Sequence, residues 1–139
     1  MPLDNATFVS PAIGEAPAFA LDTVTRLYMG RRIPLQHVAR RPDGAVDERQ
    51  ATVRDAAVDR FISDVVAQHF PDGFTVLHGE GGWMDSATGR PIREPSLIVE
   101  VMHSAAQADA VRNVAAEWKR RFKQDAVMAV SSPVAVSFI

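Results

Sequence analysis

The residues of this chain best suited to chemistry gather around one glycine-rich stretch. His78 and Glu80 flank Gly79, Trp83 follows Gly81 and Gly82, and Arg93-Glu94-Pro95-Ser96 comes after a short polar segment. A histidine, carboxylates and an arginine brought to one turn can move a proton or hold an acidic small molecule. His78 and Glu94 are therefore the candidate catalytic groups. Glu80, Trp83, Arg93 and Ser96 are candidate ligand contacts, and Gln124 can cap a helix or reach the same loop. A plainer reading accounts for the same residues, with Glu94 pinning the loop through a salt bridge to an arginine and Ser96 bonded to nearby backbone. In that reading Trp83 is a core plug, whose removal costs about 3–5 kcal/mol.

A second cluster lies upstream. Arg26, Arg31, Arg32, Arg40 and Arg41 fall with His37 in an acid-free segment, residues 26–41, and Tyr28 stands among them. Arginine forks suit carboxylate and phosphate, which makes Arg26 and Tyr28 candidate ligand contacts. Charges balanced by nearby Asp43, Asp47 and Glu48 explain the same pattern without a ligand.

Several chemistries are disfavoured. The chain has no cysteine, which removes thiolate zinc sites, disulfides and cysteine nucleophiles together. His37, His69, His78 and His103 show no two-histidine helical spacing, so no metal is expected. Gly79, Gly81 and Gly82 lack the lysine and helix of a phosphate loop, no G-x-S-x-G elbow exists, and no cofactor is expected. A net charge of -2 argues against a nucleic-acid partner. No apolar run is long enough to span a bilayer, and the first residues lack a signal-peptide layout. A cytoplasmic protein without a membrane partner is the expectation.

The elements that must position these residues follow from periodicity. At 139 residues and 47% hydrophobic composition, the chain suits one domain with a full core. Residues 1–22 hold three prolines and no sustained period, so they read as an irregular arm in which Phe8, Val9, Ile13, Phe19 and Leu21 could dock on the domain or a neighbour. The domain occupies residues 23–139. Its first strand is expected at Val24 to Gly30, with a further extended piece at Ile33 to Ala39 and a turn at Arg41-Pro42-Asp43-Gly44. Val58, Phe61, Ile62, Val65, Val66 and Phe70 recur at helical spacing, predicting a helix from near Thr52 with Thr52 and Asp55 as its N-cap pair. Strands follow at Phe74 to His78 and Ile92 to His103. Ser104 and Gln107 then open a second helix with an apolar stripe of Val111, Val114, Ala115, Trp118 and Phe122. A closing strand is expected at Ala126 to Val130 and Val134 to Phe138, broken or bulged at Ser131-Ser132-Pro133.

This β-α-β-β-α-β order is that of a ferredoxin-like α+β domain with two helices on one face of an antiparallel sheet. Leu97, Val99 and Val101 alternate with Ile98, Glu100 and Met102, and both sets are largely apolar. The uncovered face therefore predicts a homo-oligomer, a dimer in the simplest case, or coverage by the arm.

Leu27-Tyr28-Met29-Gly30, Arg41-Pro42-Asp43-Gly44, Phe70-Pro71-Asp72-Gly73-Phe74-Thr75-Val76, Gly82-Trp83, Arg93-Glu94-Pro95-Ser96 and Phe122-Lys123-Gln124 occur in one order. Together they resemble the uncharacterised bacterial family called domain of unknown function 3574, from Thr25 to Phe138. Two departures are Gly82, where the family pattern has glutamine before tryptophan, and the longer Arg31 to Arg40 connection. The resemblance implies a fold and a pocket but no activity. Three functions remain open: a domain that binds or senses a small anionic or carboxylic molecule; a cofactor-independent enzyme of the dimeric α/β-barrel type using His78 or Glu94; and a protein-interaction module.

Overall fold

A computed structural model describes residues 20–47 and 50–139. The arm before Ala20, and Glu48 among the balancing acids, lie outside the described residues. Four strands, β1 (Thr23–Gly30), β2 (Thr75–Met84), β3 (Pro91–His103) and β4 (Met128–Pro133), form one antiparallel sheet in the order β2-β3-β1-β4. The helices are α1 (Asp55–Phe61), continued through a π-helical turn Ile62–Val66 into α2 (Ala67–His69), and α3 (Ala108–Phe122). This is the ferredoxin-like α+β arrangement.

Alternation along the strands decides which side chains meet the helices. Leu27 and Met29 of β1 pair with Val99 and Leu97 of β3, and all four are fully buried with Val101. Each such aliphatic side chain contributes roughly 1.5–3 kcal/mol on burial. Against them pack Val58, Phe61, Val65 and Val66 from the first helical run and Val111, Val114 and Trp118 from α3. The α3 stripe thus falls where its period places it. Phe61 and Phe122 flank Trp118 at centroid distances of 5.0 and 4.5 Å. The π-helical turn adds a residue to the spiral, so neighbouring Val65 and Val66 are both buried between Phe61 and Phe70.

Several local expectations are corrected. The helix starts at Asp55, and Thr52 forms a lone bridge with Arg32 instead of capping it. The Asp55 carboxylate is held by Arg31 Nη2 at 2.7 Å, and Arg31 Nε also donates to the Val53 carbonyl at 3.1 Å. Residues 33–39 form no strand. Pro34 lacks a ladder donor, and Leu35–His37 closes as a 3-10 turn. The last strand runs through Ser131 and Ser132 to Pro133, because Ser131 Oγ and Thr25 Oγ1 bond across the sheet at 2.6 Å. Pro133 ends it at a sheet edge, and the following residues leave the ladder. The expected reach of Gln107 back to the Ser104 N–H is present at 3.0 Å.

Candidate functional site

β2 and β3 extend past the end of β1. β1 pairs with Ser96 to His103 and the next N–H, of Arg31, bonds the Pro95 carbonyl at 3.0 Å, whereas Pro91 to Glu94 pair with β2 alone. The result is a two-stranded ribbon, and strand alternation splits the sequence candidates between its faces. Glu94, Ser96 and Trp83 lie on the open side, continuous with Arg26 and Tyr28 of β1. His78, Glu80 and Arg93 lie on the helix side of the same strands. Neighbours in sequence, Arg93 and Glu94 face apart, and His78 does not meet Glu94.

Trp83 is 49% exposed and pairs with Ile92 near the ribbon tip, so it is no core plug. Trp118 holds that position, with no exposure. Arg93 Nη2 bonds Glu80 Oε2 at 2.7 Å on the exposed helix side, an ion pair that stabilises by about 0–1 kcal/mol. Arg26 Nε bonds Glu100 Oε2 at 2.6 Å, joining directly opposed residues of β1 and β3.

Glu94 has the most constrained setting. Its Oε2 accepts the Arg32 backbone N–H at 3.0 Å, and its carboxyl passes close over Gly30. A Cβ at Gly30 would lie 2.4 Å from Glu94 Oε1, so only glycine leaves this room. Gln124 Nε2 donates to the Arg32 carbonyl at 2.8 Å and to the Phe122 carbonyl at 3.0 Å. It therefore caps α3 and steadies the peptide whose neighbouring N–H holds Glu94, while its bonds go to Arg32 and Phe122 and not to the Gly79 to Ser96 stretch. α3 itself stops at Lys123, whose φ of 55° is left-handed. Burial raises the Glu94 pKa above 4.5, opposed by the Arg32 N–H and, more weakly, the Arg32 charge. The expected Glu94-arginine salt bridge is thus replaced by a backbone hydrogen bond, with the guanidinium acting only through its field.

Opposite Glu94 stands Gly81, above which a Cβ would meet nothing within 4 Å. At Gly79 the equivalent space is taken by Ile98 Cδ1 and Ser96 Oγ. Open room therefore lies over Gly81, between Glu94 and Trp83 along the ribbon. Gly30 and Gly81 are the contributors that residue chemistry missed. Gly30 ended a strand inside Leu27-Tyr28-Met29-Gly30, but only the cross-strand register reveals Glu94 beside it. Among the described residues, no group of three histidine or acidic side chains is placed to hold a metal ion.

Fold and site define a small α+β protein that presents a semi-buried carboxyl on the open face of a ferredoxin-like sheet. Over residues 24–138 the chain matches the family model described as Protein of unknown function (DUF3574), and it belongs to that family. No curated protein matches it. Among solved structures it is similar to a phage SAM lyase in complex with S-methyl-5'-thioadenosine, at 15% identity and a TM-score of 0.55 over 85% of this chain and 88% of that one. The apo phage SAM lyase aligns at 14% identity and a TM-score of 0.52, over 88% and 87%. At that identity the likeness is one of fold. None of the described helices is long and apolar enough to cross a membrane.

Proposed function

We propose that the chain binds a small organic molecule on the open sheet face, over Gly81, with Glu94 as the anchoring group and Trp83, Tyr28 and Ser96 nearby. The observation that carries this reading is a carboxyl whose pKa is raised by burial beside unfilled space. Such a group gains from a ligand that donates a hydrogen bond or carries positive charge. The anionic or carboxylic ligand expected from the arginines fits less well, because Arg26, Arg31 and Arg93 are engaged by Glu100, Asp55 and Glu80. A protein of similar fold is a SAM lyase in complex with S-methyl-5'-thioadenosine, which makes sulfonium and thioether nucleosides reasonable first probes. A carboxyl of raised pKa also suits proton transfer, so acid/base catalysis by Glu94 on the bound molecule is the second reading, without His78.

Calorimetric titration at pH 7 tests the proposal. S-adenosylmethionine, a cation, is expected to bind the parent more tightly than Glu94→Gln by about 10- to 100-fold, the effect of one charge-assisted hydrogen bond. Equal binding by parent and variant, or binding by carboxylate probes alone, overturns it.

The same face supports self-association. Met102, Met128 and Val130 are exposed where β3, β1 and β4 meet, and with Leu77 they form an apolar surface of the kind that proteins cover. Light scattering is expected to give a mass of at least twice 15.2 kDa at micromolar concentration. A monomer mass refutes the homo-oligomer and leaves the ligand site standing.

A further inference from the structure

Toward the other end of β3 from Glu94, a cavity of about 280 Å³ lies between the chain's last residues and the start of β2. Glu100, on its wall, is six residues along β3 from Glu94, roughly 20 Å at strand rise. Local structure explains the cavity. Helix α2 ends at His69 with Phe70 as its C-cap, Gly73 takes a φ of 151° that favours glycine, and the chain reverses into β2. β4 stops at Pro133, the Val134 N–H bonds the Asp22 carbonyl at 3.0 Å, and Val136 and Phe138 reach the same rim.

Its lining is aromatic and acidic. Phe70, Phe74, Phe138 and Met102 supply most of the large apolar surface, and the ionisable lining groups among the described residues are Asp72 and Glu100. No lysine, arginine or histidine lines it among the described residues. Glu100 already carries one cation, Arg26, whereas Asp72 is on the exposed turn after Phe70. The volume is at the lower limit for small-molecule sites, enough for one ring with a short chain.

We propose that this cavity is a second binding site, for an aryl-alkyl amine. The ring packs among the phenylalanines and Met102, where edge-to-face and sulfur contacts add to apolar burial. The ammonium group pairs with the exposed Asp72, since Glu100 is already bound by Arg26. A carboxylate on the same ring system meets the Asp72 charge, with no lining cation among the described residues to offset it, and is disfavoured.

Three probes that share a phenyl ring and a short chain, phenethylamine, 2-phenylethanol and phenylacetate, separate ring from charge when titrated into the full chain and followed by NMR shift changes. Phenethylamine is expected to bind at least about tenfold more tightly than phenylacetate, with the alcohol between them. Phe138→Ala, on an exposed terminal residue, weakens all probes, and Asp72→Asn narrows the gap between amine and acid. Glu94→Gln leaves phenethylamine binding unchanged, which distinguishes this site from the one over Gly81. Equal affinity for amine and acid, loss of binding in Glu94→Gln but not in Phe138→Ala, or no binding by any probe at millimolar concentration overturns the proposal.

Discussion

Replacing Trp118 with alanine is expected to lower the unfolding free energy by about 3–5 kcal/mol, the range for truncating a fully buried aromatic. Trp118 is unexposed, lies 5.0 Å from Phe61 and 4.5 Å from Phe122 between ring centroids, and sits where α3 meets the first helical run. Removing it leaves a cavity that these rings cannot collapse into without losing contact with the sheet. Its indole Nε1 has no hydrogen-bond partner among the described residues. Trp118→Phe should therefore be far milder than alanine, since it keeps a ring and removes a buried unpaired donor. Trp83→Ala, at a half-exposed position, is expected to change stability by at most about 1 kcal/mol. Urea denaturation of the three variants checks the order. If Trp83→Ala cost as much as Trp118→Ala, the ribbon would be part of the core and the open face would be misassigned.

The contrast between the two tryptophans shows what could be read from sequence. Trp118 belongs to a helical stripe with Val111, Val114 and Phe122, and that period alone places it inward. Trp83 is on a strand, where period two offers two faces and gives no sign of whether a third strand continues alongside. β1 ends at Gly30, so β3 before Pro95 has a strand on one edge only, and Trp83 near the ribbon tip is half exposed. The same limit divides the candidate site. Arg93 and Glu94 looked convergent as neighbours, but the pleat sends them to opposite faces, and His78 goes with Arg93. Side-chain competition explains the other departures. Asp55 is held by Arg31, so the N-cap pairing with Thr52 does not form, and Ser131 bonds Thr25, so β4 continues where a break or bulge was expected. The order of elements survived because it rests on many apolar positions, whereas each of these details rests on one or two polar contacts.

Gly30→Ala is expected to expel the Glu94 carboxyl from its seat at a cost of at most about 1 kcal/mol, because the group it displaces is the mobile end of a side chain. The new Cβ would stand 2.4 Å from Glu94 Oε1, so the side chain must swing away and release the Arg32 N–H that it now accepts. The pH dependence separates this event from simple crowding. In the parent, the folded Glu94 pKa is raised above the unfolded value near 4.5, so the native state holds this proton more tightly. The resulting contribution to stability is fully present below about pH 4.5 and is lost as pH rises through the folded pKa. Glu94→Gln stays neutral throughout, and its stability relative to the parent should therefore improve as pH goes from about 4 to 7. In Gly30→Ala the displaced carboxyl is hydrated and its pKa falls back, so adding Glu94→Gln to Gly30→Ala should produce little such trend. Melting curves across that range for the parent, both single variants and the double variant measure it. A parent-to-Glu94→Gln difference that favours the parent increasingly as pH rises would mean that Glu94 is held as a stabilised carboxylate, and a flat one would mean that its seat shifts the proton equilibrium in neither direction. The seat between Gly30 and Arg32 would then be a structural clamp, and the cationic-ligand reading would lose its physical basis.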